Sequence, residues 1–157
     1  MTTQPVSADT GAEIPYDSPE HRSPFWQWAG IHAKKLADGV VEVSMETRPE
    51  MINVGNGSLH GGMTAALIDS AVAACISSVY RVGVDITGMT TIDLNVTYLE
   101  PVRPGSQLVC RSKLVRKGKN VCVGDAEVRD QNDRLCAVGR ATYMVFRERA
   151  PQDRSRG

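Results

Sequence analysis

The chain has 157 residues, with 18 Lys and Arg set against 18 Asp and Glu and hydrophobic side chains at 41% of positions. That supplies one domain with a sizeable core and is too short for two ordinary domains. A formally neutral chain lacks the basic field that draws proteins to phosphate backbones or anionic bilayers, and no apolar run reaches the roughly 20 residues of a membrane span, so neither nucleic acid nor membrane is expected as a partner.

Residues 1–20 are polar, rich in Pro, Ser, Thr and acids, and aperiodic. They read as a disordered arm, with neither the basic start nor the apolar stretch of a signal peptide, and a cytoplasmic setting is expected. The domain proper is placed at 21–147. The residues from Arg147 onward, 148–157 above all, read as a second disordered end. Ser23-Pro24 ahead of Phe-Trp-Gln-Trp-Ala-Gly predicts a capped short helix ending at Gly30. Trp26 and Trp28 would pack it against a sheet. Ile31–Leu36 and Val40–Thr47 flank Asp38-Gly39, a pair that favours a tight hairpin. In the second strand Val41, Val43 and Met45 alternate with Glu42, Ser44 and Glu46, so one face is buried.

Residues 61–80 are apolar or small on every side, which predicts a helix surrounded by protein. Four strands follow. Thr90–Tyr98 alternates Ile92, Leu94, Val96 and Tyr98 against Thr91, Asp93, Asn95 and Thr97. Gln107–Val115 and Asn120–Arg129 flank a basic turn at Arg116-Lys117-Gly118-Lys119, and Leu135–Phe146 completes the set. Short polar turns between neighbours predict an antiparallel meander. The fold class is therefore α+β: one antiparallel sheet of five to six strands wrapped around one long helix. A single sheet covers one side of a helix some 30 Å long, so a homodimer or homotetramer is expected to cover the rest. Cys75, Cys110, Cys122 and Cys136 are far apart with no Cys-x-x-Cys spacing. They read as core residues, and neither a metal site nor a disulfide is expected.

Between Met51 and Tyr80 one fully charged side chain stands out: Asp69, in the middle of the apolar helix. No Lys or Arg lies within a turn or two, and an unpaired buried carboxylate costs several kcal/mol. A functional carboxylate explains it better than a backbone contact at a subunit boundary. The helix start supplies the complement. His60-Gly61-Gly62 exposes backbone N–H groups at the positive end of a helix dipole, suited to a carbonyl oxygen gaining charge. Gly61 and Asp69 are eight residues apart, about 12 Å along the axis, too far to act on one carbonyl. Two antiparallel copies of the helix would bring Gly61 of one chain to Asp69 of the other.

The run NGSLHGGMTAALIDSAVAAC followed by TTIDLNVTYLEPVRPG resembles the hotdog-fold acyl-CoA thioesterases, in particular the phenylacetate-pathway branch, over about Phe25 to Phe146. The most specific element is the His-Gly-Gly, six residues, Asp arrangement. The resemblance implies cofactor-free hydrolysis of an acyl-CoA or similar thioester. It implies that the Gly61 N–H binds the thioester oxygen and that Asp69 of the facing subunit attacks or activates water. It also implies a supporting Ser or Thr on the next strand, here Thr91 with Thr90 as the fallback. Members often carry Asn or Gln six residues before the His. That position is Val54 here, and a loop one residue longer would let Asn53 serve, with Asn56 nearby. His60 and Gly62 belong to the substrate-binding turn, His60 with a mainly structural part, and Arg116, Lys117 and Lys119, with Arg103, are placed to meet CoA phosphates. Glu100 reads as a surface charge. Two other readings stay open: an acyl-thioester hydratase or dehydratase, and a non-catalytic acyl-CoA or acyl-carrier binder.

Overall fold

The computed structural model describes residues 23–148, so the expectations for 1–22 and 149–157 lie outside the described residues. Helix α1 (Pro24–Ala29) starts where the Ser23 hydroxyl accepts the Trp26 N–H at 3.2 Å and stops at Gly30, whose φ of 67° is left-handed. Strands β1 (His32–Ala37) and β2 (Val40–Glu46) form the expected hairpin. Helix α2 (Gly61–Ser77) follows, then β3 (Gly88–Tyr98), β4 (Gln107–Lys117), β5 (Val121–Asp130) and β6 (Leu135–Phe146).

All pairings are antiparallel, in the order β1-β2-β4-β5-β6-β3. The α+β sheet around one helix stands as expected, but the meander does not hold for β3. It is an edge strand beside β6, and residues 99–106 carry the chain back so that β4 pairs with β2. Helix α2 crosses the sheet face and delivers β3 to the far edge, leaving the β2 side free for β4.

Val41, Val43, Met45, Leu108, Cys110, Cys122, Val128, Ala141 and Tyr143 face the helix from the sheet and are buried. Leu67, Ile68, Ala71, Val72, Cys75 and Ile76 meet them from α2. Close approach needs two glycines: a Cβ at Gly124 would lie 2.8 Å from Val72 Cγ1, and one at Gly139 would lie 3.0 Å from Ile68 Cδ1. All four cysteines are buried and free, and burial pushes the Cys110 thiol well up.

Four expectations need correction. Helix α2 stops at Ser77 because the Ser78 hydroxyl donates to Cys75 O at 2.7 Å and accepts the Gly39 N–H at 2.9 Å, locking the helix end onto the β1–β2 turn. Trp26 packs on the core, but Trp28 is 49% exposed with the Arg48 guanidinium over its ring. Arg147 is not a loose tail residue: it donates to Lys119 O and Asp85 O and lies over Tyr80. In β3 the regular alternation expected over Thr90–Tyr98 breaks at a bulge, where Ile92 is 51% exposed.

Candidate active site

The approach to α2 is held by the backbone. Asn53 N–H donates to Ser58 O at 2.8 Å, Leu59 N–H to Val102 O at 2.9 Å and His60 N–H to Met51 O at 2.8 Å. Asn56 closes its own small turn by accepting the Ser58 N–H at 3.1 Å and hydroxyl at 2.9 Å. The Asn53 amide reaches Leu59 O at 3.4 Å, and Val54 points fully into solvent. His60 is thereby fixed as the N-cap of α2, with Nδ1 accepting the Gly62 N–H at 2.9 Å. An accepting Nδ1 puts the ring proton on Nε2.

One consequence separates the two glycines. The Gly62 N–H is consumed by the cap, so it is not the donor the sequence offered alongside Gly61. Among the described residues the Gly61 N–H has no acceptor. The first-turn N–H groups of a helix have no partner within it, and the helix dipole favours negative charge there. The Gly61 carbonyl in turn accepts the Tyr98 hydroxyl at 2.8 Å, and a Cβ at Gly61 would sit 3.2 Å from that ring. A cavity of about 230 Å³ opens at this turn, with Gly61, Thr64, Leu59, Tyr98 and Val102 in its wall.

Asp69 lies midway along α2, eight residues from Gly61 and eight from Ser77. It is half-buried, as are Ala66 and Ala73 along the same side of the helix. Its compensation comes from distant strands rather than from a cation. The Thr91 hydroxyl donates to Oδ1 at 2.8 Å, and the Tyr143 hydroxyl donates to the same oxygen at 2.6 Å. Among the described residues no Lys, Arg or His bonds to this carboxylate, and Oδ2 has no donor. Burial, together with the charge of Asp69, pushes the Tyr143 phenol far up and keeps it a donor.

The bulge explains how Thr91 reaches Asp69. Thr91 pairs with Tyr143 in the β3–β6 register, the next pair is Asp93 with Thr142, and Ile92 is the extra residue. A bulge shifts the alternation by one. Met89 and Thr91 therefore face the helix before it, and Val96 and Tyr98 after it, while Asn95 and Thr97 face the outer surface. Strict alternation would have put either Thr91 or Val96 on the wrong face. Thr90 is exposed and plays no part in this contact. Tyr143 carried no signal in the sequence: it is one apolar-phase residue of a buried strand, 74 positions from the residue it touches.

The basic turn lies beyond the other end of α2. Lys117 donates to Val79 O at 3.3 Å and its ammonium sits 4.6 Å from the centre of the Tyr80 ring. Arg116, Lys117 and Lys119 are exposed. Arg103 is not beside them: it follows Val102, whose carbonyl bonds to Leu59 at the start of α2. Glu100 is at the surface, 4.0 Å from Arg134.

Residues 56–137 match the thioesterase superfamily. A putative esterase of Halobacterium salinarum is 32% identical over 127 residues, covering 76% of this chain and 82% of that protein. The medium/long-chain acyl-CoA thioesterase YigI of Escherichia coli is 29% identical over 136 residues, covering 80% and 87%. The solved structure of the E. coli PaaI protein from the phenylacetic acid degradation operon superposes with a TM-score of 0.72 at 23% identity, covering 81% of this chain and 87% of that one. Fold, His-Gly-Gly turn and family match converge: the chain belongs to the thioesterase superfamily, has the hotdog fold, and is a thioester hydrolase.

Proposed function

We propose that this thioesterase hydrolyses acyl-CoA in a site completed by a second copy of the chain, with Gly61 of one protomer facing Asp69 of the other. The carrying observation is the split on α2: an unbonded N–H at Gly61 and a carboxylate with one free oxygen at Asp69, eight residues apart on one helix. The rise of about 12 Å keeps them from sharing one carbonyl within a protomer. Two further features favour a covering copy. β3 is an edge strand with Ile92 and Leu94 exposed, and Ala66, Asp69 and Ala73 are only half-buried by their own chain.

In this reading the thioester oxygen takes the Gly61 N–H, which strengthens as the oxygen gains charge. By the general-base route, Asp69 takes a proton from water, hydroxide adds to the carbonyl carbon, and the C–S bond breaks. The departing thiolate recovers the proton from Asp69, giving acid and thiol. By the nucleophilic route, Asp69 displaces the thiolate to form a mixed anhydride that water then opens. Thr91 holds Asp69 in both routes, and Asn53 beside the α2 entrance orders the water. His60 sets the turn as N-cap, and Gly62 leaves room for its ring. Arg116, Lys117 and Lys119 lie past the C-terminal end of α2, some 12 Å beyond Asp69, and receive the CoA phosphates. YigI, a medium/long-chain acyl-CoA thioesterase, supports CoA as the thiol carrier.

The test is thiol release across a panel from acetyl- to palmitoyl-CoA and phenylacetyl-CoA. Asp69→Asn is expected to lower kcat by about 10²–10⁴ with fold and assembly retained. Activity of that variant equal to wild type overturns the assignment, and binding without thiol release by the wild-type protein overturns the acyl-CoA reading. Heterodimers of Asp69→Asn with Gly61→Val chains should recover up to half of the sites, and no recovery overturns the shared site.

A further inference from the structure

We propose that Tyr143 is a positioning residue of the reaction: together with Thr91 it pins Oδ1 of Asp69, so that Oδ2 is the oxygen that acts on water or thioester. This rests on Asp69 being the reacting carboxylate. The two hydroxyls arrive from adjacent strands in matched register, Thr91 on β3 and Tyr143 on β6, just before the bulge at Ile92. They converge on one oxygen at 2.8 and 2.6 Å. The shorter contact falls in the range of a hydroxyl bonded to a charged carboxylate.

A buried tyrosine needs some acceptor for its hydroxyl, and satisfying that need is the plain structural explanation. The surroundings of Tyr143 make that explanation insufficient. The main-chain oxygen of Asp69 lies 3.0 Å from the same hydroxyl and would satisfy it alone. Tyr143 is 4% exposed and belongs to the buried core, so its ring has no open space to swing into. The hydroxyl instead takes the carboxylate at the shorter distance, and the second donor, Thr91, takes the same oxygen rather than the free one. Rotation of the Asp69 carboxyl group about its last bond would break both hydrogen bonds at once. That fixes the direction in which Oδ2 points, which is how a base or nucleophile is kept in reach of its target.

The pair also acts on charge. A hydroxyl donor stabilises the ionised carboxylate more than the neutral acid. Thr91 from β3 and Tyr143 from β6 are the groups bonded to Asp69, and no cation among the described residues adds to them. Removing one donor should therefore leave the carboxylate less firmly held, and the acidic limb of the activity profile, which should move up, is the readout.

The experiment compares wild type, Tyr143→Phe, Thr91→Val and Asp69→Asn on the panel member that wild type hydrolyses fastest, over pH 4–9. Tyr143→Phe keeps the ring and its packing. It should lower kcat by roughly 10- to 100-fold, the scale of a hydrogen bond to a charged group, with KM within about twofold. The acidic limb of kcat/KM should rise by about one pH unit. Thr91→Val should move the limb in the same direction. A folded Tyr143→Phe protein with kcat and acidic limb unchanged overturns the proposal. So does a uniform loss of activity at all pH values that tracks a lower melting temperature. Should Tyr143→Phe fail to fold, 3-fluorotyrosine placed at position 143 gives a stronger donor of nearly equal size. The limb should then move down, and an unmoved limb overturns the proposal. Asp69→Asn keeps the outcomes apart: if it is inactive while Tyr143→Phe matches wild type, only the role of Tyr143 falls, and if it is fully active the reading of Asp69 falls as well.

Discussion

The two ends of α2 are built on opposite plans. At the C-terminal end the chain spends cations and hydroxyls on the last carbonyls: Lys35 donates to Ser78 O at 3.2 Å, Lys117 to Val79 O at 3.3 Å, and the Ser78 hydroxyl to Cys75 O at 2.7 Å. Positive charge there meets the negative end of the dipole, and the end is complete within one protomer. At the N-terminal end there is no acidic residue in the first turn; His60 takes the Gly62 N–H, and the Gly61 N–H is left without an acceptor among the described residues. The contrast separates a helix end closed by side chains from one that keeps a free N–H at Gly61 among the described residues.

The largest effect should come from deleting the open donor. Proline suits the first turn of a helix and follows an extended residue well, and His60 has φ −61° and ψ 129°. Gly61→Pro removes the N–H, while Gly61→Ala adds a Cβ against Tyr98 and keeps it. Steady-state thiol release should place Gly61→Pro some 10²–10³ below Gly61→Ala in kcat. Equal rates for the two variants would erase the distinction between the helix ends.

A smaller, purely structural effect is expected next door. A Cβ at Gly62 would lie 2.8 Å from His60 Nδ1. Gly62→Ala must displace the cap, and urea unfolding should register a loss of about 0.5–2 kcal/mol. At the closed end, Lys35→Ala should cost about 0.3–1 kcal/mol by the same measurement and leave kcat unchanged. The finest comparison concerns Lys117, which serves the helix end and which the proposed function also assigns to CoA. Lys117→Ala should raise KM for acyl-CoA several-fold, with the rise shrinking at high salt because exposed charge contacts are screened. A lower melting temperature with an unchanged KM would return Lys117 wholly to the structure.

Much of the molecule was legible along the chain. Alternation at Val41, Val43 and Met45 located β2, Asp38-Gly39 located its hairpin, and an all-round apolar helix carrying one acid marked Asp69 as the residue to explain. The same reading missed why β3 faces as it does. Period-two alternation cannot carry both Thr91 and Val96 inward, and only the unpaired Ile92 reconciles them. It also did not show that the Gly62 N–H is taken by the His60 ring, because the direction of that ring is not written in residue order.

What the sequence determined by itself was local: the periods that make strands and a buried helix, the caps and turns that end them, and the isolation of Asp69 from any nearby cation. What the tertiary structure decided was adjacency. It carried β3 to the far edge against β6 and brought Tyr143 onto a carboxylate 74 residues away. The physical reason is that periodicity reports which face of an element is buried, whereas register and strand order depend on how the long helix spans the sheet. A group that compensates a buried charge can therefore come from any strand that the helix crosses.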